Sequence, residues 1–102
     1  MATGAPNAKR FRNCIGPRLR KLRMSRKQTQ EQLAAQLQLA GLHTWDRVAV
    51  AKVESRIRSV YDYEMAVLCK VLAVDAAKLL PSLSDFSDEL EDLMRGERQQ
   101  DA

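Results

Sequence analysis

Apolar residues recur along this chain at spacings of three and four, and no stretch alternates apolar with polar residues over the length of a strand. That single pattern restricts the fold to packed helices, because a stripe at helical period faces one side of a helix and scatters over both faces of a sheet. The stripes are Ile15, Leu19 and Leu22, then Leu33, Ala34, Leu37 and Ala40, then Ala49, Val50, Val53 and Ile57, then Met65, Leu68, Cys69 and Leu72. Four glycines and three prolines offer few interruptions. The expectation is an all-α chain whose 102 residues form one small domain.

Capping residues bracket the stripes. The first helix starts at Asn13 or Gly16, takes Pro17 into its first turn, where a missing N–H costs nothing, and ends near Met24 to Arg26. Thr29-Gln30-Glu31-Gln32 has the form of a capping box and opens a second helix, which Gly41 ends. A turn through Leu42, His43, Thr44 and Trp45 leads to a third helix capped by Thr44 or Asp46. Asp62 is expected to cap a fourth helix and Asp75 a short fifth, after which Leu79 and Leu80 close the core and Pro81 stops it. Residues 1–12 read as a basic flexible arm carrying Lys9, Arg10 and Arg12, residues 13–81 as the folded domain, and residues 82–102 as an acidic tail. In that tail Phe86, Leu90, Leu93 and Met94 fall on one face of a further amphipathic helix, preceded or opposed by five acidic residues.

The net charge of +4 is small, but its distribution is not. Residues 1–60 hold 13 Lys and Arg against three acidic residues, a balance of +10, whereas residues 61–102 hold four against ten, a balance of −6. A basic half favours a polyanionic partner, since each Lys or Arg brought near a phosphate releases a counterion. No apolar run approaches the roughly 20 residues of a membrane span, and residues 1–13 lack the apolar core of a secretion signal. The expected location is therefore the cytoplasm, with no membrane partner. Cys14 and Cys69 stand 55 positions apart, outside any C-x-x-C pair, and His43 is the one histidine, which falls short of the four ligands of a structural zinc site. Cys69 reads as a buried, reduced helix residue and His43 as a polar turn residue. Without metal spacing, a glycine-rich phosphate loop or a nucleophile–base pair, the chain is not expected to be an enzyme or to carry a cofactor.

In order, the chain contains Ile15-Gly16-x-x-Leu19-x-x-Leu22-Arg23, Thr29-Gln30-Glu31-Gln32-Leu33-Ala34, Val50-Ala51-Lys52-Val53-Glu54, Leu72-Ala73-Val74 and Leu79-Leu80. This series resembles the phage-repressor (Xre/Cro-type) helix-turn-helix family over about residues 15–80. The resemblance implies a compact five-helix repressor-like domain, with the tail helix as an addition. It assigns Gln30 to a DNA phosphate at a helix N-terminus, and Arg47, Val48 and Lys52 to the recognition helix that reaches base edges in the major groove. Arg47 can pair bidentately with guanine and Val48 can touch a thymine methyl. Arg56 and Arg58 match positions that follow the phosphate backbone, and Arg23 and Glu54 match an ion pair tying the first helix to the third.

The chain departs from that family in three places. Seven residues, Gln38 to Thr44, separate Leu37 from Trp45 where the family usually has a single glycine, which leaves the setting of the recognition helix open. Trp45 is expected to plug this enlarged turn rather than to stack on a base. Arg56 replaces a glycine that adopts a left-handed turn, so helix three is expected to run on. Tyr61 replaces a small cap, so the cap is expected to shift to Asp62, with Tyr61 and Tyr63 packing at the helix start. The functional expectation is sequence-specific binding of double-stranded DNA by a homodimeric, repressor-type transcriptional regulator. The tail stripe of Phe86, Leu90, Leu93 and Met94 is the candidate dimer contact, or else folds back on its own domain. The alternative is a protein-interaction module, such as an antitoxin or adaptor subunit, that keeps the fold without the readout.

Overall fold

A computed structural model describes residues 11–101, with side chains through Arg95. Of the basic arm, Phe11 and Arg12 fall within it, and Lys9 and Arg10 lie outside the described residues. The described chain is all-α: α1 (Gly16–Ser25), α2 (Gln30–Leu39), α3 (Arg47–Glu54), α4 (Asp62–Leu72), a 3-10 turn (Ala76–Lys78), the single-turn α5 (Leu83–Phe86), a second 3-10 turn (Ser87–Glu89) and α6 (Leu90–Asp101).

The helix starts follow local chemistry. Asn13 Oδ1 accepts from the N–H groups of Ile15 and Gly16, at 3.0 and 2.9 Å, ahead of α1. At α2 both halves of the capping box form: Gln32 N–H donates to Thr29 Oγ1 at 3.0 Å, and Thr29 N–H donates to Gln32 Oε1 at 2.8 Å. Asp46 caps α3 by accepting from Ala49 N–H at 2.8 Å. The cap of α4 is Tyr61, not Asp62 as expected, and Asp62 is the first helical residue. Glu64 makes the reaching-back half of a capping box, its Oε1 accepting from Tyr61 N–H at 2.9 Å. Asp75 makes no side-chain cap, and the expected fifth helix is the single 3-10 turn that follows it.

The helix ends share one geometry. After α1, α2, α3 and α4 a residue enters the left-handed region: Lys27 (φ 56°), Gly41 (φ 114°), Arg56 (φ 68°) and Ala73 (φ 55°). Each is bracketed by the paired back-bonds of a Schellman motif, such as Leu42 N–H to Leu37 O and Gly41 N–H to Gln38 O after α2. Helix α3 therefore stops at Glu54 and does not run on through Arg56. Arg56 keeps the left-handed turn despite its Cβ because Ile57 N–H and Arg56 N–H bond back to Lys52 O and Val53 O, while Arg12 N–H clamps Arg56 O at 2.7 Å.

The buried core comprises Ile15, Leu19, Leu33, Ala34, Leu37, Leu42, Trp45, Ala49, Val50, Val53, Leu68, Leu72 and Leu79. Cys69 is partly rather than wholly buried, packed at the edge of this cluster beside Met65. Three expected core residues lie elsewhere. Ala40 is exposed, because α2 ends at Leu39 and the chain turns at Gly41. Ile57 is 56% exposed, because the end of α3 turns the chain before it can face inward, and Leu80 is 45% exposed. The tail is not one amphipathic helix: its first part is broken into α5 and a 3-10 turn, and α6 starts only at Leu90. No helix of the described residues is long and apolar enough to cross a membrane.

Candidate nucleic-acid interface

The periodicity of α3 divides it into two faces. Ala49, Val50 and Val53 are buried, while Arg47, Val48 and Lys52 are exposed, Val48 at 46%. Neither Arg47 nor Lys52 forms an ion pair among the described residues. The N-cap fixes the first turn of α3, and with it Arg47 and Val48, at the edge of a groove of about 420 Å³ lined also by Glu31, Ala34, Gln38 and Asp46. The enlarged turn is held from within. Trp45 is fully buried, its Nε1 donates to Glu64 Oε2 at 2.9 Å, and Gln38 Nε2 donates to Trp45 O at 3.1 Å.

Beneath this surface lies a buried polar network. Arg23 Nε and Nη2 donate to the two oxygens of Glu54 at 2.7 and 3.1 Å, and Arg23 Nη1 donates to Gln28 O at 2.7 Å. The expected ion pair between the first and third helices is thus present and bidentate. With side chains only 10% and 3% exposed, removing one partner strands the other, at a cost of about 3–5 kcal/mol. Gln30 joins the network, donating from Nε2 to Glu54 Oε1 at 3.0 Å. Its side-chain amide is turned inward, while the N–H groups of Gln30 and Glu31 in the first turn of α2 have no partner among the described residues. These N–H groups, with the helix dipole, are what a phosphate would meet there.

The two remaining arginines assigned to phosphates are engaged within the chain. Arg58 lies over the Trp45 ring, 4.6 Å from its centroid, and pairs with buried Glu64 at 3.5 Å. Arg56 lies over the Phe11 ring at 3.7 Å and pairs with Glu89 of the tail. The six side chains expected at DNA therefore divide: Arg47, Val48 and Lys52 have no ion pair among the described residues and share one helix face, and Gln30, Arg56 and Arg58 hold internal partners.

Of the tail stripe, Phe86 and Leu93 are half-buried, while Leu90 and Met94 are exposed. Asp85 pairs with Arg18 of α1 at 3.0 Å. The tail thus contacts its own domain through charge. Tyr61 and Tyr63 are both exposed and stack on each other, with centroids 5.6 Å apart. Cys14 and Cys69 are free thiols. Burial pushes both above the ordinary thiol range; at Cys14 a backbone hydrogen bond opposes the shift.

Three residues do more in this architecture than their sequence signals indicate, which for Asn13 and Gly16 were those of a helix start. Gly16 packs so closely on the end of α3 that an added Cβ would collide with Val53 O and lie 2.7 Å from Glu54 O. Asn13 reaches the same place, donating from Nδ2 to Val53 O and Arg58 O at 3.1 and 2.7 Å. Glu64 gathers Trp45, Tyr61 and Arg58. Its one signal was its place three residues after Tyr61, the spacing of a capping-box acid.

Set against protein-family models, curated proteins and solved structures, the chain matches none of them.

Proposed function

We propose that this chain binds double-stranded DNA, with α3 entering the major groove and reading sequence as the recognition helix of a repressor-type transcriptional regulator. The observation that carries the reading is the outer face of α3, where Arg47, Val48 and Lys52 are exposed and without ion pairs among the described residues while the opposite face is locked into the core. Arginine and an apolar side chain in the first turn and lysine in the next provide a bidentate donor for guanine, a surface for a thymine methyl and a cation for a phosphate or base edge. The unpaired N–H groups at the start of α2 supply a second, sequence-independent contact. The Arg23–Glu54–Gln30 network fixes α1, α2 and α3 against one another, so the reading helix is presented rigidly. Binding and steric exclusion then constitute the regulatory act, carried out as a homodimer in the cytoplasm.

Selection of bound sites from a random duplex library tests this directly. The expected result is an enriched motif that Arg47→Ala loses while weak, salt-sensitive binding persists. Absence of affinity for any duplex at low salt overturns the reading. A protein-interaction module is the second reading, favoured by the internal engagement of Arg56, Arg58 and Gln30. It requires α3 substitutions to leave DNA affinity untouched.

A further inference from the structure

The tail crosses back onto the basic half of the molecule at two points. Asp85, on the single-turn α5, pairs with Arg18 on the outer side of α1 at 3.0 Å, and Glu89, four residues later, pairs with Arg56 at the end of α3. The two contacts differ in kind. Arg18 and Asp85 are roughly half-exposed, so water and salt screen them. Arg56 and Glu89 are 21% and 27% exposed, and the guanidinium also lies against the Phe11 ring, so Arg56 is held by an anion and an aromatic face together. Between Leu83 and Arg95 the tail carries Asp85, Asp88, Glu89, Glu91 and Asp92 against the single cation Arg95. A carboxylate on Arg56 is thus the leading edge of an acidic segment placed next to the turn that ends the exposed helix.

We infer that this acidic segment is an intramolecular competitor of the DNA backbone for Arg56, so that the chain holds itself in a weaker-binding state that DNA must displace. The inference rests on the DNA-binding reading above. Its physical basis is that the Glu89 carboxylate neutralises the Arg56 guanidinium and occupies its Nη1 donor, so a phosphate oxygen gains that charge and that donor only as the carboxylate gives them up. In the docked state the remaining carboxylates also repel the phosphate backbone. Because Arg56 and Glu89 belong to one chain, their pairing is favoured by a high effective concentration and persists at any protein dilution. Duplex binding has to break that pair, swing the tail away and only then gain the Arg56 contact. The measured affinity is lowered by the fraction of molecules in the docked state. Whatever holds the tail elsewhere would raise DNA affinity without touching α3.

Duplex affinity of the full chain at about 0.15 M salt, where the Debye length is about 8 Å, and at low salt to detect any binding at all, measured for wild type, Glu89→Gln, Asp88→Asn and Arg56→Ala, and for Glu89→Gln combined with Arg56→Ala, tests the competition. Glu89→Gln and Asp88→Asn remove the same charge from the same segment, but Asp88 makes no ion pair among the described residues. The expected result is tighter binding by Glu89→Gln, about fivefold, a change below about twofold for Asp88→Asn, and no gain from Glu89→Gln once Arg56 is alanine. Equal gains from the two charge-neutralising variants, or a gain that survives Arg56→Ala, overturn the competition and leave DNA binding standing. If none of the five chains binds any duplex, the DNA reading fails and the competition falls with it.

Discussion

Gly16 shows how far a single residue can be constrained without any functional group. Its Cα lies against the carbonyls that close α3, and a Cβ there would meet Val53 O and come to 2.7 Å from Glu54 O, both backbone atoms that cannot rotate away. Gly16→Ala is expected to destabilise the fold by about 1–3 kcal/mol, the cost of forcing two packed helices apart, and urea unfolding measures it. An unchanged midpoint would mean that α1 is not seated as described. Asn13 and Arg12 act at the same junction through hydrogen bonds to Val53 O, Arg58 O and Arg56 O, so three neighbouring residues set where the stretch after α3 lies.

At the scale of elements, the starts of α2 and α3 were readable because caps are local: Thr29 and Asp46 bond to N–H groups three residues on. The ends were less readable. Four helices close with the same left-handed residue, yet glycine fills that position only at Gly41, and Lys27, Arg56 and Ala73 fill the others. Sequence reasoning that looks for glycine therefore finds one stop and extends α3 past its true end. The strain is measurable at Lys27, an exposed residue without an ion pair among the described residues. Lys27→Gly is expected to stabilise the protein by up to about 1 kcal/mol, relief of the Cβ clash outweighing the added freedom of the unfolded chain. A lower thermal midpoint for this variant would contradict that account. At the start of α4 the Glu64 side chain reaches back to accept from Tyr61 N–H, the half of a capping box that the N3 residue makes.

For the whole molecule, the division of charge along the chain has a spatial counterpart. The acidic segment returns to Arg18 and Arg56 instead of extending away, which joins the two halves of the dipole and reduces the field the basic half presents. Leu90 and Met94 remain exposed on α6, at 40% and 49%. If that edge is where two copies meet, the full chain has the mass of a dimer in light scattering and the double substitution Leu90→Asp with Met94→Asp returns it to a monomer. A wild-type monomer at high concentration, or a dimer indifferent to both substitutions, excludes this contact.

The helical class, the extent of α2 and its capping box, the inward face of α3 and the pairing of Arg23 with Glu54 all follow from the chain itself, because each rests on period, on contacts three or four residues apart, or on a residue pattern that resembles a known helix-turn-helix arrangement. What the tertiary structure decided has long sequence separation. Trp45 finds Glu64 across 19 residues, Asn13 finds Arg58 across 45, and Arg18 finds Asp85 across 67. The candidate contact residues are divided by other tertiary pairings, Gln30 with Glu54, Arg56 with Glu89 and Arg58 with Glu64. Arg47 and Lys52 look no more basic in sequence than Arg56 and Arg58, and what separates them is the internal acid each arginine meets only after folding. Periodicity specifies which face of a helix is buried; it carries no information about which distant carboxylate will arrive beside the face that remains.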